Sequence, residues 1–261
     1  MSRGRRHEYE RLLRAVVQER YAVVPLGRFL DDPGARAPER VLILRHDVDQ
    51  RPVSALETAA VEHALGISST WYFRWRTADP DVVAAVRSQG GEVGLHYETL
   101  TRRVLREGLP PEGDLQPMLE SCRRELQEEV EAFAALFGPI AGIAAHGDTR
   151  VPGVRNVALV EGVGPERFGV GHDANLSLRE HRLGTWLTDR SAAAGAWSDD
   201  QDPERLLAEG VSPILCLTHP NNWVSGPALW RDRLLTALLP DRTPGRPARV
   251  RRALPDVPPG R

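Results

Sequence analysis

The chain has 261 residues, 41% of them hydrophobic and 27% charged, with a formal net charge of −2. That length supports one large α/β domain with its own core, and the small charge gives no basis for a nucleic-acid or membrane-surface partner. Every one of the 34 basic residues is Arg, which excludes chemistry that needs a lysine amine, such as Schiff-base formation.

The stretch Met1-Ser2-Arg3-Gly4-Arg5-Arg6-His7 is basic but leads into a polar amphipathic segment, not an apolar signal region. No run approaches the ~20 apolar residues of a membrane helix, so a cytoplasmic protein is expected. Cys122 lies in a charged helical stretch and Cys216 in an apolar run. Two cysteines are too few for a disulfide framework or a Cys-rich zinc site, and both are expected as buried thiols.

Along the chain, His7 to Arg20 carries Leu12, Leu13, Val16 and Val17 at helical spacing. Val41-Leu42-Ile43-Leu44 opens a buried strand over 41–46, and Val53 to Leu65 reads as a helix stopped by Gly66. Ser68 to Trp75, rich in β-branched and aromatic residues, reads as a strand. Pro80 to Ser88 is a short helix ended by Gly90-Gly91, and Val93 to Tyr97 is a strand. Leu115 to Phe137 is the longest helix. Ile140 to Ala145, Phe168 to Val170, Gly184 to Leu187 and Pro213 to Leu217 complete the strands, with Leu206-Leu207 and Leu229 to Leu239 in further helices.

Strands alternating with helices predict a parallel sheet, and seven of them suit a barrel with helices outside. The alternative is an open doubly wound sheet, weakened by the lack of a Gly-rich phosphate loop. The domain reading is an N-terminal helix and lead-in over 1–40, a barrel over 41–239, and a poorly ordered Pro/Arg-rich tail over 240–261.

The strand ends carry the chemistry. Asp47 and Asp49 stand two residues apart at the end of the first buried strand, so their side chains share a face. Carboxylates so placed repel unless a cation lies between them or one holds a proton. The plain alternative is a pair of loop acids at the N-terminus of the helix near Pro52. His96, His146 and His219 close later strands, where a parallel barrel gathers its functional groups.

One Asp with two His makes an open divalent-metal site with room for water and substrate. Zinc is the first choice, and iron, cobalt or nickel suits the same N/O donors. Such an ion acidifies water and polarises a carbonyl. The second carboxylate then acts as base, and His219 protonates a leaving amine or stabilises an oxyanion. His46 alternates away from the two Asp residues and is expected to pack elsewhere. His172 and Asp173 divide between substrate contact and turn chemistry, while His7, His63 and His181 read as surface residues.

The order of these clusters resembles the polysaccharide deacetylase family, the NodB-homology group or carbohydrate esterase family 4. The resemblance spans most of residues 41–223 and rests on four motifs in order: Asp47-Val48-Asp49; Ser69-Thr70-Trp71-Tyr72-Phe73; Gly91-Glu92-Val93-Gly94-Leu95-His96; and Leu215-Cys216-Leu217-Thr218-His219-Pro220. It implies a deformed (β/α)7 barrel and a divalent metal, usually zinc, used to hydrolyse acetyl groups on sugars. By the same resemblance Asp47 is the base, Asp49 and His96 are metal ligands, and His219 is the acid.

The family's second metal His falls at Leu100 here, so His146 or Glu98 has to complete the set. An Arg often tethers the base in the family, and Arg45, Arg74 and Arg76 are the candidates. Arg76, Glu98, Asp148, His172, Asp189 and Arg190 are the candidates for holding a carbohydrate or related small-molecule substrate, Asp189 and Arg190 by gripping a polar group. A hydrolase of non-sugar C–N bonds and a binding module with a decayed site are the alternatives. Trp71, Trp75, Trp186, Trp197, Trp223 and Trp230 include candidates for a sugar-stacking surface.

Overall fold

The apolar run after residue 40 forms a strand buried along its whole length, as a parallel strand covered on both faces requires. This strand, β2 (Val41–Val48), lies at the centre of an eight-stranded, all-parallel sheet. The computed structural model describes residues 5–109, 114–189, 197–198 and 201–224. The expected helix over 229–239, the tail 240–261, Trp230 and Arg190 lie outside the described residues.

The other strands are β1 (Ala22–Val24), β3 (Thr70–Phe73), β4 (Glu92–Tyr97), β5 (Gly142–Ala145), β6 (His172–Asp173), β7 (Thr185–Thr188) and β8 (Ile214–Thr218). Their order is β6-β5-β4-β3-β2-β8-β7. β1 pairs with residues 41–43 of β2 and β3 with residues 45–48, both on the edge opposite β8. Seven strand positions thus curve into a deformed (β/α)7 barrel, with no ladder joining β6 to β7 among the described residues.

Helices α1 (Arg6–Gln18), α3 (Pro52–Ala64), α4 (Pro80–Ser88), α5 (Thr99–Glu107), α6 (Gln116–Phe137) and α7 (Pro203–Ala208) cover the outside. Leu42, Leu44, Leu187, Ile214 and Cys216 pack outward beneath α1 and α7, with Leu12, Leu13, Val16 and Leu207. Trp71, Phe73, Val93, Leu95 and Ile143 pack outward beneath α4 and α6, with Val83, Leu126 and Phe133. The alternate positions Ile43, Tyr72, Ala144 and Leu215 form a separate inner cluster. The short α2 (Leu26–Asp31) joins that cluster through Leu26 and Phe29. It is held by Thr70, whose hydroxyl accepts the Leu26 N–H, and by the Glu92 carboxylate, which accepts the Gly27 and Arg28 N–H groups. α2 and β1 are too short to leave a periodic signal in the sequence.

One expected strand is misplaced. Pro165–Phe168 is a 3-10 turn, opened by a proline that cannot donate to a ladder and closed by Gly169 at φ 72°. The pairing strand begins only at His172. The helix over 99–107 was not anticipated either, because its apolar positions are few.

Two glycines make room inside the barrel. A Cβ on Gly94 would lie 2.4 Å from the Gly142 carbonyl oxygen and 2.6 Å from the Tyr72 ring. A Cβ on Gly142 would lie 2.1 Å from His172 Nε2. Tyr72 and His172 thus fill the interior beneath the strand ends, and the backbones beside them have to be bare.

Candidate active site

The inward-facing parity that begins at Ile43, Tyr72, Gly94, Ala144 and Leu215 continues upward two residues at a time. On β2 it reaches Arg45 and Asp47, on β3 Arg74, on β4 His96 and Glu98, on β5 His146, and on β8 Leu217 and His219. Of these positions the lower ones are apolar and the upper ones, Leu217 excepted, ionisable, at the carboxyl ends of the strands, where barrel enzymes carry their sites.

Asp49, His96 and His146 each offer one ligand atom, all within 4.8 Å of one another. Asp49 Oδ1 stands 3.3 Å from His96 Nε2 and 3.6 Å from His146 Nε2. That oxygen is buried and makes no hydrogen bond, an arrangement that needs an explanation in a folded protein. Burial opposes its charge, but contact with His96 and the charges of His96, His146 and His219 hold the carboxyl below its ordinary range. Burial and neighbouring His96 push His146 down to about 3, so its ring is neutral at neutral pH, the form a metal requires. The Nδ1 of His96 is 3.0 Å from the Ala144 carbonyl oxygen, which fixes that nitrogen as the donor and leaves Nε2 with its lone pair. Two imidazoles and a carboxylate whose buried oxygen is orphaned fit a divalent ion.

Asp47 stands beside this cluster, with Oδ2 3.5 Å from His96 Nε2. Arg45 grips it with two parallel bonds, Nε to Oδ1 and Nη2 to Oδ2, both 2.9 Å. Arg45 is itself held by the Asn175 side chain at 2.9 Å. Burial raises the Asp47 pKa, but Arg45, His96 and His219 outweigh it and keep the carboxylate ionised. Of the three arginines weighed from the sequence, Arg45 is the one bonded to Asp47. Arg74 pairs with Glu98, and Arg76 donates to the Asp49 carbonyl oxygen at 3.4 Å.

His219 faces the cluster with Nε2 3.7 Å from Asp49 Oδ2 and gives its Nδ1 to Asp189 Oδ1 at 2.6 Å. Asp189 Oδ2 accepts the His219 backbone N–H at 3.0 Å. Burial alone would lower this imidazole, yet the hydrogen bond and charge of Asp189, with Asp49 and Asp47 behind them, raise it to about 9.

The other substrate-contact candidates among the described residues lie against protein partners. Asp189 has both oxygens bonded to His219. His172 is buried, with Nε2 2.8 Å from the Tyr72 hydroxyl, below the level of the site. Asp173 accepts the N–H groups of Asn175 and Leu176 in a turn. Glu98 lies behind His146 and against Arg74, and Asp148 is clasped by Arg150. Trp71, Trp197 and Trp223 are buried and Trp75 packs on Phe133, while Trp186 is 41% exposed. His46 stacks on Trp71 at 3.9 Å on the outer face.

Leu100, four residues after His96, is fully buried in the outer core beside α6. Sequence reasoning missed Asn156. Its Oδ1 accepts the N–H groups of Leu100 and Thr101, and its Nδ2 donates to the His146 carbonyl oxygen at 2.7 Å. It fastens the start of α5 to the end of β5, where His146 sits. A buried amide opening the apolar run Val157-Ala158-Leu159 was the available signal.

Fold and site together define a parallel α/β barrel with a carboxylate–imidazole cluster at its C-terminal mouth. No protein-family model matches the chain, and no curated protein does. Among solved structures the chain is similar to a mutant of a CE4 family pseudoenzyme with restored enzymatic activity, at 11% identity and a TM-score of 0.39. That match covers 75% of this chain and spans 61% of the other chain's length. It is also similar to a family 4 carbohydrate esterase from Bacillus anthracis, at 10% identity and a TM-score of 0.36, covering 86% of this chain and 83% of that one. No helix among the described residues is long and apolar enough to cross a membrane.

Proposed function

We propose that this chain is a metal-dependent hydrolase that removes an N-acyl group, acetyl in the simplest case, from a sugar or related small molecule. The observation that carries the reading is one cluster flanked by two oppositely tuned groups. Asp49, His96 and His146 meet within 4.8 Å, with an ionised carboxylate on one side and a protonated imidazole on the other.

Asp49, His96 and His146 would hold the ion, zinc being the first choice for this donor set. When bound, it supplies Lewis acidity toward a carbonyl oxygen and toward water. Asp47, fixed by Arg45, takes the proton of the attacking water. His219, held protonated by Asp189, donates its Nε2 proton to the departing amine. The two groups need opposite protonation states at one pH, and their partners provide them: a cation for the base, an anion for the acid.

The test is hydrolysis of acetylated amino sugars and of cyclic amides and imides by metal-loaded protein, with Asp47→Asn as control. Turnover of the sugars lost in the variant supports the reading. Turnover of the cyclic amides alone moves the substrate class to non-sugar C–N bonds. Full activity in a well-dialysed, chelator-treated sample overturns metal dependence.

A further inference from the structure

We propose that Glu98, held in place by Arg74, is the positioning residue that sets the His146 ring for metal binding, an inference that rests on the metal-site reading above.

His146 Nδ1 is buried and without a hydrogen-bond partner. The nearest acceptor given by the ion-pair geometry is Glu98 Oε2, at 3.6 Å, on the side of the ring away from Asp49. That distance is longer than a hydrogen bond, so the carboxylate acts on the ring through its charge and its placement. A carboxylate behind one ring nitrogen favours the tautomer with the proton on Nδ1. The Nε2 lone pair is then left toward Asp49 and His96.

Glu98 has the same inward parity as His96 and could itself have been a ligand. Arg74 prevents this by pairing with Glu98 Oε2, and both side chains are almost completely buried. The pair is thus a neutral unit that directs an acceptor at His146 without adding net charge to the site. The other imidazole has an equivalent device in the Ala144 carbonyl oxygen behind His96 Nδ1. Each of the two rings is therefore backed by an acceptor on its Nδ1 side. The carboxylate takes the place a carbonyl fills for His96, because His146 lies one residue beyond the end of β5.

Two measurements on the full chain test this. In metal-free protein, long-range 15N–1H correlation reads the His146 tautomer, which is expected to be Nδ1-protonated. Zn2+ and Co2+ affinities are then compared between the wild type and the double variant Glu98→Leu/Arg74→Met. That variant replaces the buried pair with apolar groups and leaves no unpaired charge. Dissociation constants are expected to rise about 10- to 100-fold, with loss of the Nδ1 preference. Wild-type protein that binds metal through an Nε2-protonated His146, or a double variant that binds it as tightly as wild type, overturns the inference and leaves the metal site standing. Wild-type protein that binds neither ion overturns the metal-site reading itself.

Discussion

His219 Nδ1 lies 2.6 Å from Asp189 Oδ1, joining the last strand of the barrel to the end of β7 and turning His219 Nε2 toward Asp49. The contact strengthens the hold of His219 on its proton. Its pKa rises from 6.5 to about 9, so its charge is retained across neutral pH. The pair stabilises the fold fully below about pH 6.5, and that contribution is lost as pH rises through about 9. Turnover is expected to fall on the alkaline side of about pH 9. Asp189→Asn should move that limb to lower pH, read from pH–rate profiles of the two proteins.

Asp47→Asn retains shape but cannot accept a proton. Its kcat should fall about 100- to 10,000-fold, the usual share of a positioned base, with metal content unchanged by elemental analysis.

Arg45→Leu leaves the buried Asp47 carboxylate without its cation. Removing one partner of such a pair costs about 3–5 kcal/mol, which denaturant unfolding would measure. Asp47→Asn in the same background should recover much of the loss.

Metal removal should lower stability as well as activity. Free ion at about 100 times its dissociation constant adds about 2.7 kcal/mol to a fold that alone binds it. A zinc-dependent rise in melting temperature is expected for the wild type, and its absence in Asp49→Ala checks the assignment.

Gly94→Ala places a methyl group 2.4 Å from the Gly142 carbonyl oxygen and against the Tyr72 ring. The backbones of β4 and β5 have to part to admit it. A destabilisation of about 1–3 kcal/mol is expected, with weakened metal binding because His96 and His146 lie two and four residues further along these strands.

Much of the architecture was legible because its signals are local. Short apolar runs closing on His or on an Arg-His-Asp cluster marked β2, β4, β5 and β8, and the placing of Asp47 and Asp49 on one face followed from period two. Phe168 to Val170 misled because three apolar-looking residues can sit in a turn as well as a strand. β1 and α2 were missed because they are too short to show a period, and α5 because its apolar positions are few.

The sequence by itself determined which polar groups stand at strand ends and which face of each strand they share, since alternation is a property of consecutive residues. The tertiary structure alone decided the partnerships: Arg45 rather than Arg74 or Arg76 on Asp47, Asp189 on His219, His146 rather than Glu98 beside Asp49, and Asn156 across the base of the site. Those choices depend on strand order, on register and on the curvature that brings β2, β4, β5 and β8 to a common mouth. A shift of one residue in any of these ladders would turn a site residue into the outer core.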